Sequence, residues 1–128
     1  GKPIKLFKSY NPRFSDGGQL RDFIWVGDCV KIILWLLKNP KVNGIFNVGT
    51  GQARTFYELA ESMFLALGMD INIEYIDMPY TLRSKYQYFT EAKINRLTEA
   101  GYNQKLTPIE QGIMTYIQEY LIKTDPYR

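Results

Sequence analysis

Arg21 is the residue in this sequence whose type and setting point most directly to chemistry. It stands in Gln19-Leu20-Arg21-Asp22-Phe23-Ile24-Trp25-Val26-Gly27-Asp28, beside a loop over residues 11–19. A guanidinium fixed at the start of a strand suits a phosphate-bearing ligand, because its planar fork donates two parallel hydrogen bonds. The alternative is an arginine paired for structure with Asp22 or Asp28. The loop of residues 8–18 carries two aromatics and two cations, Tyr10, Phe14, Lys8 and Arg13, more than a plain surface connection needs. Loops held by a strand on each side are where binding residues gather. Further along, Arg83, Lys85, Tyr86 and Tyr88 interleave cations with tyrosines. Such a segment can grip a phosphate and a sugar ring together, or can be a solvated loop.

Other chemistries are excluded by what is missing. The chain has no histidine and one cysteine, Cys29. Ser-His-Asp and Cys-His catalysis are out, as are zinc sites of the Cys/His type and any internal disulfide. Cys29 reads as a small apolar filler at a helix start rather than an activated thiolate. Gly49-x-Gly51, set between a strand and a helix with Asp77 downstream, has the outline of a dinucleotide loop. Arg54 occupies the third-glycine position, where close helix-to-strand packing excludes a bulky side chain. The two glycines therefore read as a tight turn.

The elements that must hold these residues follow from pattern. Ile4–Phe7 alternates and reads as a strand, and residues 19–28 read as a buried strand running straight into a helix capped by Asp28. The helix over residues 28–38 is apolar on nearly all sides and needs cover on more than one face, which predicts that another domain or subunit packs there. Asn39-Pro40 ends it. Residues 44–48 read as a second buried strand. Thr55-Phe56-Tyr57-Glu58 is a capping box opening a helix that stops at Gly68. Residues 71–76 alternate as a half-buried strand, and Met78-Pro79-Tyr80 breaks it. Thr90 is expected to cap a short helix with Ile94 and Leu97 inward, ending at Gly101. Thr107-Pro108-Ile109-Glu110 reads as a cap, a first-position proline and a third-position glutamate. Its helix should bury Ile109, Ile113, Ile117 and Leu121 on one stripe flanked by Tyr116 and Tyr120. Residues 124–128 read as a frayed tail.

The totals fit one α/β domain. At 128 residues the chain can bury a core unaided, and a net charge of +3 with scattered basic residues argues against a nucleic-acid surface. The longest apolar run, residues 29–37, is interrupted by Lys31 and is too short to span a bilayer. An opening Gly-Lys-Pro with no apolar leader predicts no signal peptide, and the cysteine usage fits a cytoplasmic setting.

Arg21-Asp22-Phe23-Ile24-x-Val26-x-Asp28 resembles the Arg-Asp-Phe-(Ile/Val)-x-Val-x-Asp signature of extended short-chain dehydrogenase/reductases that act on sugar nucleotides. Gly44-Ile45-Phe46-Asn47-Val48-Gly49-Thr50-Gly51-Gln52-Ala53 and Lys85-Tyr86-Gln87-Tyr88-Phe89-Thr90 are similar to the ADP-heptose 6-epimerase branch of that family. The resemblance runs from about Pro3 to the last helix. It implies the carboxyl-terminal, substrate-binding part of such an enzyme: short strands with packed helices, an incomplete Rossmann fold forming one nucleotide-sugar domain over residues 1–128. It implies substrate contacts from Phe7, Lys8, Ser9, Tyr10, Arg21 and Tyr86, with no catalytic residue in this chain. Phe7 as core and Tyr10 as a loop clasp are the structural alternatives. Lys85 stands where the family often has arginine, and a lysine there is a point charge rather than a fork. The catalytic Tyr-x-x-x-Lys and the NADP-binding fingerprint belong to an amino-terminal Rossmann domain that this chain lacks. That domain, ADP-heptose and further copies of the full-length protein are the partners implied, and lipopolysaccharide inner-core synthesis is the process. A UDP- or dTDP-sugar enzyme of the same superfamily is the alternative, but Arg83-Ser84-Lys85 does not reproduce the arginine-glycine-aspartate type motif common there. A non-catalytic interaction domain is the third class.

Overall fold

The computed structural model describes residues 2–125. The chain folds as α/β with two small sheets and helices packed on them. Strand β1, Ile4–Phe7, pairs in parallel with β4, Ile73–Ile76, in the register Ile4↔Ile73 to Phe7↔Ile76. Strand β2, Leu20–Arg21, pairs antiparallel with β3, Arg54–Thr55. The helices are α1 (Val26–Lys38), α2 (Phe56–Leu67), α3 (Tyr80–Arg83), α4 (Asn95–Glu99) and α5 (Ile109–Tyr116), the last continuing as a π-helical turn over Ile117–Leu121.

Several local signals produce the expected structure. Thr55 accepts from the Glu58 backbone N–H while the Glu58 carboxylate accepts from the Thr55 N–H, a complete capping box for α2. Gly68 closes that helix at φ 64°, a left-handed conformation that favours glycine. Asn39 ends α1. A buried cluster of Ile32, Leu97 and Tyr102, covered by Trp35, Leu36, Phe46 and Leu106, joins α1 to α4.

Several expectations are corrected by tertiary context. The strand expected over residues 19–28 shrinks to the two residues of β2. Pairing ends at Arg21, and helix α1 already begins at Val26 with Trp25 at its cap position. Asp28 therefore lies inside the first turn and caps nothing; its buried carboxylate accepts from the Thr107 N–H at 2.6 Å and from Lys31 Nζ at 3.0 Å. Residues 44–48 form no strand, because no neighbouring strand among the described residues offers them hydrogen bonds, and Ile45 is 83% exposed. Thr107-Pro108 does not build a capping box: Pro108 holds the cap position, and Glu110 turns away to bond Arg54. Thr90 is likewise no cap; α4 starts after Ile94, and the Thr90 N–H donates to Leu20 O. Leu97, Ile109 and Ile117 are buried as expected, but Leu121 is exposed. Of the expected frayed tail, residues 126–128 lie outside the described residues.

The turn 49–51 is held by one carboxylate. Asp22 accepts from the Thr50 N–H and hydroxyl, from the Gly51 N–H at 2.9 Å and from the Ala92 N–H at 3.1 Å. Burial opposes its ionisation, but the bonds from Thr50, Ala92 and Gly51 outweigh it, and the carboxyl titrates below its ordinary range. Gly49 is required beside it, since an added Cβ would meet Ala92 at 2.4 Å and the Asp22 carboxylate at 2.6 Å.

Two consequences are measurable. Asp22→Ala orphans three backbone N–H groups and should destabilise the fold by about 3 kcal/mol, with Asp22→Asn in between; urea unfolding indistinguishable from the parent would refute the clasp. Asp28 also titrates below its ordinary range: burial pushes it up, and the Thr107 and Lys31 bonds pull it further down. A carboxyl lowered on folding contributes fully above the unfolded pKa of about 3.9, and that contribution fades as pH falls through the folded value. Asp28→Asn should therefore cost about 2 kcal/mol near neutrality, with the gap to the parent narrowing below about pH 4. A gap that stays constant on acidification contradicts this.

Candidate functional site

Of the six residues singled out in the sequence, Phe7 and Arg21 both lie against Tyr86, while Lys8, Ser9 and Tyr10 continue the chain from Phe7 and bond other partners. Phe7 ends β1, and Lys8, Ser9 and Tyr10 follow it into the loop of residues 8–18. That loop is tied at its base. The Gly17 N–H donates to Phe7 O, the Tyr57 N–H donates to Gly17 O, and the buried Gln19 amide donates to Phe7 O at 3.2 Å. Gly17 sits at φ 69° with Leu6 and Tyr75 carbons 3.0 Å from where a Cβ would stand, so a side chain there would force the loop off the sheet. Inside the loop, Ser9 Oγ donates to Asn11 O, and the Ser9 N–H donates to Asp16 at 2.6 Å.

Arg21 faces the end of β1 across Tyr86. Its guanidinium carbon lies 5.2 Å from the Tyr86 ring and 5.8 Å from the Phe56 ring, and Nη1 donates to Leu20 O at 2.7 Å. It makes no ion pair among the described residues. Asp22 is committed to the glycine turn and Asp28 to Lys31 and Thr107, so neither partner of the purely structural reading is available. The residue opposite Arg21 across the β2–β3 ladder is Arg54. Like charges face to face would disfavour the pairing, but Arg54 is matched by Glu58 at 2.9 Å and by Glu110. Arg21 is the cation of the pair held by aromatic rings rather than by carboxylate.

Tyr86 packs edge-on against Phe7, ring centres 6.2 Å apart, and against Tyr88 at 5.3 Å. Lys8, Tyr10 and Arg83 form the rim. Lys8 Nζ and the Tyr10 hydroxyl both donate to Asp77, at 3.2 and 3.0 Å, and the Arg83 guanidinium lies 3.7 Å from the Tyr10 ring. The Lys8 bond first, and the Tyr10 bond after it, hold the Asp77 carboxyl below its usual range. Both structural alternatives thus have substance: Phe7 does pack, and Tyr10 does clasp.

Two residues outside the six singled out as substrate contacts belong to the cluster. In the sequence Tyr88 is one tyrosine among several, yet its hydroxyl accepts from the Tyr10 N–H at 2.9 Å and its ring lies 5.2 Å from Phe14. Phe56, which follows the capping box and opens α2, lies beside Arg21. Nothing local marks either role. Phe7, Gln19, Phe56 and Tyr86 line a hollow of about 150 Å³. A nucleotide-sized ligand needs several hundred, so these residues form one wall of a site rather than a closed pocket.

The Gly49-x-Gly51 turn does not fit a dinucleotide. A phosphate would need the N–H groups of Thr50 and Gly51, and Asp22 already holds them. Asp77, which in such a loop would meet a ribose, is engaged by Lys8 and Tyr10.

The first 49 residues match the NAD dependent epimerase/dehydratase family. An ADP-L-glycero-D-manno-heptose-6-epimerase of Nitratidesulfovibrio vulgaris (strain DP4) is 51% identical over 124 residues, which cover 97% of this chain and 38% of that protein. Among solved structures, Helicobacter pylori ADP-L-glycero-D-manno-heptose-6-epimerase superposes with a TM-score of 0.67 at 29% identity, over 91% of this chain and 32% of that one. The UDP-glucose 4-epimerase of Thermus thermophilus, solved in complex with NAD, gives a TM-score of 0.68 at 25% identity, over 88% of this chain and 34% of that one. The chain spans well under half the length of the relatives it matches. The likeness runs through nearly all of this chain's residues, which are similar to a stretch of these sugar-nucleotide epimerases amounting to about a third of their length.

Proposed function

We propose that this chain is the substrate-binding part of an ADP-glyceromanno-heptose 6-epimerase, which interconverts the D-glycero and L-glycero forms of ADP-manno-heptose. The observation that carries it is the Arg21 guanidinium, free of any carboxylate among the described residues and held beside Tyr86 at the mouth of the loop of residues 8–18. There its fork can turn to a diphosphate. Phe7, Lys8, Ser9 and Tyr10 lie along the nucleotide, with the aromatic rings offering stacking surface and Lys8 a further charge. Tyr86 offers its hydroxyl to the sugar or its phosphate.

The reaction of such an enzyme is an oxidation of the sugar carbon and its reduction from the other face, for which the nicotinamide cofactor supplies and takes back the hydride. In this reading the residues of this chain bind and orient, and the proton-transfer group is supplied from outside them. NADP and the catalytic tyrosine and lysine belong to an amino-terminal Rossmann domain outside these residues. An unpartnered surface supports this division. Val26, Val30, Ile33, Leu34 and Leu37 form an exposed apolar stripe along α1, Leu37 being 72% exposed, and residues 44–48 lie nearby in sequence without strand partners. The missing domain would cover the stripe and supply a strand to residues 44–48. The whole protein is an oligomer, as the family resemblance implies, and works in the cytoplasm on lipopolysaccharide inner-core precursors.

Titration calorimetry with ADP, UDP and dTDP tests the substrate class. ADP should bind in preference to the other two, and Arg21→Lys, which keeps the charge but loses the fork, should weaken ADP binding about tenfold, equivalent to about 1.4 kcal/mol. Equal affinity for all three nucleotides, or an Arg21→Lys variant binding as well as the parent, sinks the assignment. Incubated with NADP and ADP-heptose, the chain alone should give no epimerisation detectable by NMR; turnover would show that the reactive groups lie within these residues.

A further inference from the structure

We propose that Tyr88 is a positioning residue of this site: it fixes the loop of residues 8–18, Tyr86 and the Arg21 strand relative to one another, so that nucleotide meets a preformed wall. The inference rests on the nucleotide-sugar reading above. Three parts of the wall are anchored on Tyr88: the loop and the Arg21 strand, both far from it in the chain, and the nearby Tyr86. Its hydroxyl accepts the Tyr10 N–H at 2.9 Å, and its ring lies 5.2 Å from Phe14 at a tilt of 31°, so the loop is held at two points. The same ring meets Tyr86 edge-on at 5.3 Å and 76°, a favoured arrangement for aromatic pairs. Its carbonyl accepts the Leu20 N–H at 2.8 Å, and the Thr90 N–H returns a bond to Leu20 O, which fastens the segment to the strand bearing Arg21.

The hydroxyl's role is separable from the ring's. Tyr10 is gripped on its side-chain face by Arg83 and Asp77, and its backbone N–H is gripped by Tyr88 alone among the described residues. That bond is exposed, so without it the amide turns to water at little cost in stability. What is lost is the loop's fixed place beside Tyr86. Affinity that depends on a preordered loop falls when the loop must be ordered by the ligand.

Tyr88→Phe keeps both ring contacts and removes the hydroxyl; Tyr88→Leu removes both. In Tyr88→Phe the thermal midpoint should stay close to the parent's, the Tyr10 amide should exchange with solvent about tenfold faster by NMR, and ADP should bind roughly three- to tenfold more weakly. Tyr88→Leu should weaken ADP further. Unchanged Tyr10 exchange in Tyr88→Phe overturns the anchoring role whether or not ADP binds. Faster exchange with unchanged ADP affinity overturns the positioning role while leaving the nucleotide reading intact. A parent chain that binds no ADP defeats the nucleotide reading, and the positioning role falls with it.

Discussion

A single carboxylate decides how the separate pieces of this chain come together. Asp22 gathers bonds from Thr50, Gly51 and Ala92, residues 28 to 70 positions away. Loop segments without regular structure must satisfy their backbone N–H groups somehow, and here three are satisfied by one side chain. The result is a rigid joint between the strand carrying Arg21, the glycine turn and the segment leading on from Tyr86 and Tyr88. Since the joint uses both carboxylate oxygens, Asp22 is closed to Arg21 as an ion-pair partner.

Adjacent residues thus divide two tasks. Asp22 turns inward and spends its charge on backbone, while Arg21 lies against the faces of Phe56 and Tyr86. Aromatic faces orient a guanidinium without neutralising it. A carboxylate would hold it as firmly but would cancel the charge an anionic ligand needs. Arg54 across the ladder makes the contrast plain: with Glu58 and Glu110 both on it, that arginine is structural. The rim repeats the logic, with Lys8 and Tyr10 gathered on Asp77 and Arg83 laid against the Tyr10 ring.

The site wall is ordered although the protein core around it is partial. Of the buried apolar residues, Ile32, Leu97 and Tyr102 form a small cluster joining α1 and α4, whereas one side of α1 presents aliphatic side chains to solvent. Burying such a stripe is worth roughly 25 cal/mol per Å² of apolar surface removed from water, a driving force this chain leaves unused. The matched relatives are more than twice as long as this chain.

What the sequence determined by itself is what depends on neighbours a few residues apart. The α2 capping box, the left-handed stop at Gly68, the alternation of β1, the end of α1 at Asn39 and the misfit of Arg54 in a dinucleotide loop are all interactions within one turn or one pleat. The meeting of Phe7 and Arg21 at Tyr86 was legible only through resemblance to a family, because no local rule brings residue 86 to residue 21. Tertiary structure alone decided the rest. Asp28 became the acceptor for Thr107 rather than a cap, Glu110 went to Arg54 rather than back to its own helix start, and Tyr88 became the anchor of the loop. Residues 44–48 have strand composition and no strand, since a strand is completed by hydrogen bonds from another chain segment. A side chain with two competing partners takes the one that burial and geometry favour, and that choice is made only when distant segments meet.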